Sequence, residues 1–306
     1  EGRLIIGGEP GGSTTPAAVV SALQDGNTTE QAAARMAIDV PARQSIGVFD
    51  VMTPAQVEDS LSGAPVLDHT TAILTAIEAA RTSRRRLVFN SGGVFRVVER
   101  ATRNINSVTT GYALPFRSGV HMEGYGAKLQ YTHDFSGSTR GFAPFSNICE
   151  NSLGEVISGF SLKGLEFVNT ATGNEAQANI LLVGGNNAGA TDYVTDFEFS
   201  DLKSVRGGIF YYLITARTDS ARTIKRFKVR NTTHTNSQNS TFNGAGVSEF
   251  EVDGIQLTGS LYDCVMLFNA QSGKIKGLRC TGVADNVVAI EVGQPAAYAD
   301  DIMENV

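Results

Sequence analysis

Four carboxylates occupy comparable places in two stretches of the chain: Glu198, then Glu249, Glu251 and Asp253. A pair of such acids beside a glycosidic bond can hydrolyse or eliminate it, one protonating the leaving oxygen while the other acts as base or nucleophile. Lys228, Arg230, Lys274 and Lys276 alternate with these acids at matching offsets. Stacked on neighbouring strands, the two signs would form a ladder of surface ion pairs, keeping the carboxylates ionised and salt-bridged. The ladder is the expected role of this face.

A second group lies in long segments rich in Asn, Asp and Gly. TATGNEAQANILLVGGNNAGATDYVTD carries Glu175, Asn187, Asp192 and Tyr193, and the next segment carries Tyr211, Tyr212, Arg217, Asp219 and Arg222. Loops on a rigid scaffold often hold binding residues; here Asn and Asp would hydrogen-bond sugar hydroxyls while tyrosine faces pack on the rings. The same composition describes any solvated loop. Asp263, Asp285, Asn286 and Glu291 have no evident cationic partner, and Asp263 and Asn286 would stack as a structural Asx ladder or as the edge of a groove. The expected substrate-binding set is Glu175, Asp192, Tyr193, Tyr211, Tyr212, Asp219, Asp263 and Glu291; no catalytic residue is assigned.

Other chemistries find little support. His69, His121, His133 and His234 show no metal-ligand spacing, and Cys149, Cys264 and Cys280 contain no CxxC pair, so they read as small core residues. GGEPGG and VGGNNAG lack the strand before and helix after that a phosphate loop needs, and no cofactor is expected. A net charge of −6 argues against nucleic acid or an anionic membrane as partner. Arg84-Arg85-Arg86 reads as a solvated helix end. No apolar run approaches the ~20 residues that span a bilayer, and the opening EGRLIIGGEP lacks the order of a secretory leader.

The elements that would hold these residues are short strands. Glycines number 33 against 8 prolines, which suits many strands joined by tight turns. Gly124, Gly164, Asp201, Asn231, Gly254, Gly277 and Asn305, spaced 40, 37, 30, 23, 23 and 28 residues apart, align as one left-handed bend per repeat. Two apolar residues precede each bend at alternating spacing: Val120 and Met122, Phe160 and Leu162, Phe197 and Phe199, Phe227 and Val229, Phe250 and Val252. Gly273 with Ile275 keeps half of the pattern. A bend between two inward-facing strands is the corner of a β-solenoid coil. This register stacks Glu123, Lys163, Ser200, Arg230, Asp253, Lys276 and Glu304 in one outward column, and Ser161, Glu198, Lys228, Glu251 and Lys274 in the next.

Upstream, Thr15-Pro16 and Thr28 with Gln31 open two short helical patterns within residues 1–46. SIGVFDV reads as a strand. LDHTTAILTAIEAA reads as a helix with Asp68 as N-cap and Ile73, Ala76, Ile77 and Ala80 as its apolar stripe, and RRLVFNSGGVFRVV reads as two strands around a Gly-Gly turn. In order, Phe49-Asp50, Asp68-His69-Thr70-Thr71-Ala72-Ile73, Ala79-Ala80 and Leu87 to Phe95 resemble the N-terminal frame of the pectate-lyase-like superfamily, which includes bacteriophage tailspikes. LPFRSGVHMEGYGAKL resembles that family's next coil. LSGAPV stands where the family has a GDG turn, and Asn90 stands where it has a proline.

The resemblance implies an all-β fold, a right-handed parallel β-helix whose open end is plugged by the helix. Residues 1–46 would be an arm for virion attachment or trimer packing, 47–130 the capping helix and first coils, and 131–306 the continuing β-helix. It further implies a homotrimer bound to virion tail or adaptor proteins through that arm, recognising bacterial surface polysaccharide. The chain stops at Val306 just inside a coil, so the solenoid is expected to continue, with any depolymerase centre expected beyond that point. A free-standing polysaccharide lyase or glycosidase, and a purely structural virion protein, are the alternatives.

Overall fold

In a computed structural model the chain divides into two compact units, Glu1–Ser45 and Ile46–Val306. The structure describes residues 45–105, 108–133, 140–148, 156–171, 178–184, 194–214, 223–237, 239–260, 264–268, 270–283 and 288–291. The helical patterns expected near Thr15 and Thr28 lie outside these residues.

Each coil of the second unit runs through three strands. In one coil they are Val194–Ser200, Lys203–Gly207 and Ile209–Ile214. In the next two the first pair fuses into one bent strand, Ile224–Ser237 followed by Phe242–Ala245, then Val247–Ser260 followed by Val265–Phe268. First and second strands build a 14-stranded sheet that folds around the corner, and third strands build an 8-stranded sheet. Coil pairs with coil in parallel, as in Phe227 opposite Phe250 and Tyr211 opposite Phe242. The result is a right-handed parallel β-helix, the fold class expected. An unanticipated antiparallel hairpin, Ala101–Ile105 with Val108–Pro115, begins the smaller sheet.

The corners explain the repeat. Gly164, Asp201, Asn231, Gly254 and Gly277 all take left-handed backbone, with φ between 50° and 72°, and Asn231 Nδ2 donates to Asp201 Oδ1 at 3.1 Å along the column. The first aligned position departs from this pattern. Tyr125 carries the left-handed φ of 45°, while Gly124 answers a different need, because a Cβ there would stand 2.4 Å from the Gly164 carbonyl oxygen. Asn305 lies outside the described residues.

Inside, the alternating apolar residues are buried throughout. Phe160, Phe197, Phe227 and Phe250 stack one per coil, their centroids 5.1, 4.8 and 5.4 Å apart and their planes within 15° of one another. Gly273 ends the stack for a steric reason: a Cβ there would fall 2.0 Å from Cζ of Phe250, whose ring fills the place of the next side chain.

Of two helices ahead of the first coil, one caps it. Ser45–Gly47 is a strand, but Val48–Val51 turns into a 3-10 helix, so SIGVFDV is extended only in its first half. Helix α1, Pro54–Leu61, was not expected; Thr53 caps it in a box with Gln56, and Pro54 starts it. Helix α2, Thr70–Ser83, buries Ile73, Ala76, Ile77 and Ala80, the expected stripe, against the same core as Leu87, Phe89 and Phe95. His69 occupies the N-cap position without a side-chain cap. Asp68 performs that function from one residue out, accepting from Thr70 N–H at 2.9 Å and Thr70 Oγ1 at 2.6 Å. His69 is buried beneath the helix, and its Nδ1 accepts from the Arg96 backbone at 3.1 Å.

Candidate functional site

The outward surface of the first strands has the register read from the sequence. One column runs Glu123, Lys163, Ser200, Arg230, Asp253, Lys276, and the other His121, Ser161, Glu198, Lys228, Glu251, Lys274. Glu304 lies outside the described residues. The pairing within the columns differs from the expectation. Glu251 was expected between Lys228 and Lys274; it reaches diagonally instead, to Arg230 Nη2 at 3.5 Å and Lys276 Nζ at 2.9 Å. Arg230 also meets Glu198 at 3.6 Å, and Lys276 meets Asp253 at 3.2 Å. Diagonal neighbours on a sheet are within reach of long side chains, and this arrangement lets each cation bridge two acids. Among the described residues Lys228 and Lys274 make no ion pair.

This electrostatic setting disfavours acid catalysis. Hydrogen bonding from Lys276, aided by Arg230, holds the Glu251 carboxyl below its ordinary range despite some burial. Asp196, on the rim of the same face, binds Arg226 through both oxygens at 2.7 and 2.9 Å, and that contact brings its pKa to about 2. A general acid for glycoside cleavage requires a raised carboxyl. These two carboxylates are shifted the other way, in line with the ladder reading.

Towards the capped end the face changes character. Tyr125 leaves the core at the left-handed corner and stands 60% exposed. Its hydroxyl donates to Glu123 Oε2, and Glu123 Oε1 receives Arg86 Nη1 at 2.8 Å. The Tyr125 bond is the main cause of a lowered Glu123 pKa, with Arg86 adding to it. Arg86 is therefore part of this cluster, whereas Arg84 and Arg85 are the exposed end of α2. Next along, His121 Nδ1 lies 2.9 Å from Ser161 Oγ, and Lys163 Nζ lies 3.7 Å from Asp201. An open aromatic face thus adjoins a row of fixed donors and acceptors. No carbohydrate role was expected for Tyr125 from the sequence; the available signal was an aromatic at a corner position, where a side chain cannot turn inward.

The residues expected to bind substrate are dispersed. Tyr211 is corrected from loop to core: it is wholly buried on Ile209–Ile214, stacked 5.7 Å from Phe199, with its hydroxyl 2.7 Å from Thr232 Oγ1. Desolvation raises its pKa, and it is closed to a glycan. Tyr212 packs with Leu181, Val183 and Ile214 in a second apolar cluster, separate from the core that holds Tyr211. Glu291 ends the strand Val288–Glu291 opposite Phe268, and its side chain is outside the description. Glu175, Asp192, Tyr193, Asp219 and Asp263 also lie outside the described residues.

The described residues contain no group of three His, Cys, Asp or Glu able to hold a metal, and no helix among them is long and apolar enough to cross a membrane. His121 and His234 sit on coils as expected. His234 is a core residue, its Nδ1 3.3 Å from Thr241 Oγ1, and burial depresses its pKa to about 3.

No family model matches the chain, and no curated protein does. Among solved structures it is similar to PfbA, a surface adhesin of Streptococcus pneumoniae, at 12% identity over 77% of this chain and 62% of that one, with a TM-score of 0.46. It is similar also to the A-module of the Azotobacter vinelandii mannuronan C-5 epimerase AlgE6, at 14% identity over 80% and 75%, TM-score 0.37. A third is the tailspike protein of Acinetobacter baumannii phage AM24, at 10% identity over 74% and 45%, TM-score 0.33. The chain spans less than two thirds of the adhesin it matches. These are likenesses of architecture, and the β-helix itself rests on the strand register described above.

Proposed function

We propose that these coils belong to a bacteriophage tailspike and that the outer face of their first strands binds bacterial surface polysaccharide. The observation that carries the reading is the cluster at Tyr125: an exposed ring, a carboxylate and a guanidinium held together, continuous with polar columns locked in register. Sugar rings pack their C–H faces on aromatic rings, and an extended polyol matches rows of donors and acceptors whose spacing, about 4.8 Å, is set by the strands. The lowered pKa values of Glu123, Asp196 and Glu251 favour adhesion over cleavage on this face. Virion attachment through residues 1–46, and a homotrimer, are inferred from the resemblance of residues 45–130.

The test is binding of purified capsule or lipopolysaccharide by the full chain and its Tyr125→Ala variant, alongside light scattering and an assay for released oligosaccharide. Tyr125→Ala should weaken binding about tenfold, the scale of one aromatic contact, and the protein should scatter as a trimer. Unchanged affinity would remove the proposed face, and a strictly monomeric full-length protein would remove the tailspike. Oligosaccharide release that survives Tyr125→Ala would place cleavage elsewhere.

A further inference from the structure

On the later coils one outward column reads Glu198, Lys228, Glu251, Lys274, each residue set opposite the next by parallel pairing. Signs therefore alternate along the axis of the solenoid. The acids nevertheless turn aside. Glu198 reaches Arg230 at 3.6 Å, and Glu251 reaches Arg230 at 3.5 Å and Lys276 at 2.9 Å, both cations belonging to the neighbouring column. Lys228 and Lys274 are left exposed and, among the described residues, without an acid. They stand two coils apart, about 10 Å at the spacing of strands in a sheet, with Glu251 between them. Unpaired ammonium groups in fixed register attract the anions of a partner. The intervening acid is as informative: Arg230 and Lys276 keep Glu251 ionised, so it repels a carboxylate laid over it and accepts from a hydroxyl.

Building on the polysaccharide binding proposed for this face, we propose that its substrate is a linear acidic polysaccharide with a carboxylate on every second sugar. Two such carboxylates meet Lys228 and Lys274, and the uncharged sugar between them presents its hydroxyls to Glu251. Two extended pyranose rings span the same two-coil interval, so a chain lying along the solenoid keeps step with the column. A polymer acidic at every sugar would place a charge over Glu251, and a neutral one would leave both lysines unused. The column thus attracts one charge pattern and opposes another, which is how specificity is set.

The experiment measures binding of the full chain to purified bacterial capsular polysaccharides of known repeat. They are grouped by a uronic acid on every second sugar, on every sugar or on none, with polygalacturonate added to the second group and dextran to the third. Binding should fall in the first group, weaken as salt is raised, and drop about tenfold or more when the glycan's carboxyls are reduced to alcohols. Lys228→Gln and Lys274→Gln should each weaken it about fivefold, the scale of one exposed charge pair, and should have no effect on binding of the carboxyl-reduced glycan. Glu251→Gln should raise the affinity for polygalacturonate. A bound glycan that is neutral or charged on every sugar, or lysine variants that bind as tightly as the parent, would overturn the proposal and leave a glycan-binding face in place. No binding anywhere in the panel would overturn that face, and the proposal with it.

Discussion

Strands of the large sheet carry two ladders at once, one on each side. Inward, Phe160, Phe197, Phe227 and Phe250 stack ring on ring without solvent. Outward, on the same strands, Glu198, Arg230, Glu251, Lys276 and Asp253 join at 2.9 to 3.6 Å in water. The register is common to both sides, but its energetic value is not. A stacked, buried aromatic contributes its area and about 0.5–1.5 kcal/mol more per pair, whereas an exposed ion pair is worth at most about 1 kcal/mol. The interior therefore specifies the coil, and the exterior is left free to be written for recognition.

Emptying one rung of the inner ladder should produce the largest effect. Phe227 touches Phe197 and Phe250 on both sides and is buried. Phe227→Ala is expected to cost about 3–5 kcal/mol, read from urea or thermal unfolding. A loss below about 1 kcal/mol would erase the distinction between the two sides.

Acid should act on the interior before it reaches the ladder. His234 has a folded pKa near 3 against an ordinary 6.5, so the unfolded chain binds the extra proton between these values. Its stabilising effect is complete above pH 6.5 and declines as pH falls below that, by roughly 2 kcal/mol at pH 5. Burial lowers the pKa of His69 as well, with Asp59, Asp68 and Arg96 acting on it, so it adds in the same direction. Glu251, lowered from an ordinary 4.5, is present above that pH and lost beneath it. His234→Gln should flatten the dependence of Tm on pH between 7 and 5. An unaltered slope would show that this window does not belong to His234.

A smaller effect is expected at the cap, which also shows how legibility varied along the chain. Asp68→Ala removes both bonds to Thr70 and should cost about 1 kcal/mol of stability, read from urea unfolding; no loss would mean that packing alone holds α2. Asp68 and the stripe of α2 were readable because helix spacing and cap chemistry are local. The coil register was readable because corners need Gly, Asn or Asp and inward positions alternate. Helix α1 was readable in principle, from Thr53, Pro54 and Gln56, and was missed because its apolar face is weak. Diagonal pairing was not readable, since a linear alignment stacks Glu251 under Lys228 and Lys274 without saying where a long side chain reaches. Tyr211 misled for another reason: the long interval of its repeat read as an extruded loop, whereas Ile209–Ile214 is a strand from which Phe210 and Tyr211 both enter the core, without the alternation that marks the other strands.

The smallest effect belongs to the outer ladder. Glu251→Gln keeps the shape of the side chain and removes the charge that holds Arg230 and Lys276. All three groups are partly exposed, so solvent and salt screen them, and the side-chain entropy of holding them offsets part of the attraction. The expected loss at neutral pH is a few tenths of a kcal/mol up to about 1, measured as a shift in urea midpoint, and it should shrink in 1 M salt. With Glu251 replaced, the fall in stability below pH 4.5 should also become shallower, because a carboxyl with a lowered folded pKa is gone. A loss as large as that of Phe227→Ala, or one indifferent to salt, would make the outer columns a structural element in their own right. The face would then owe its charges to the coil, and recognition would have to be sought at Tyr125 and beyond it.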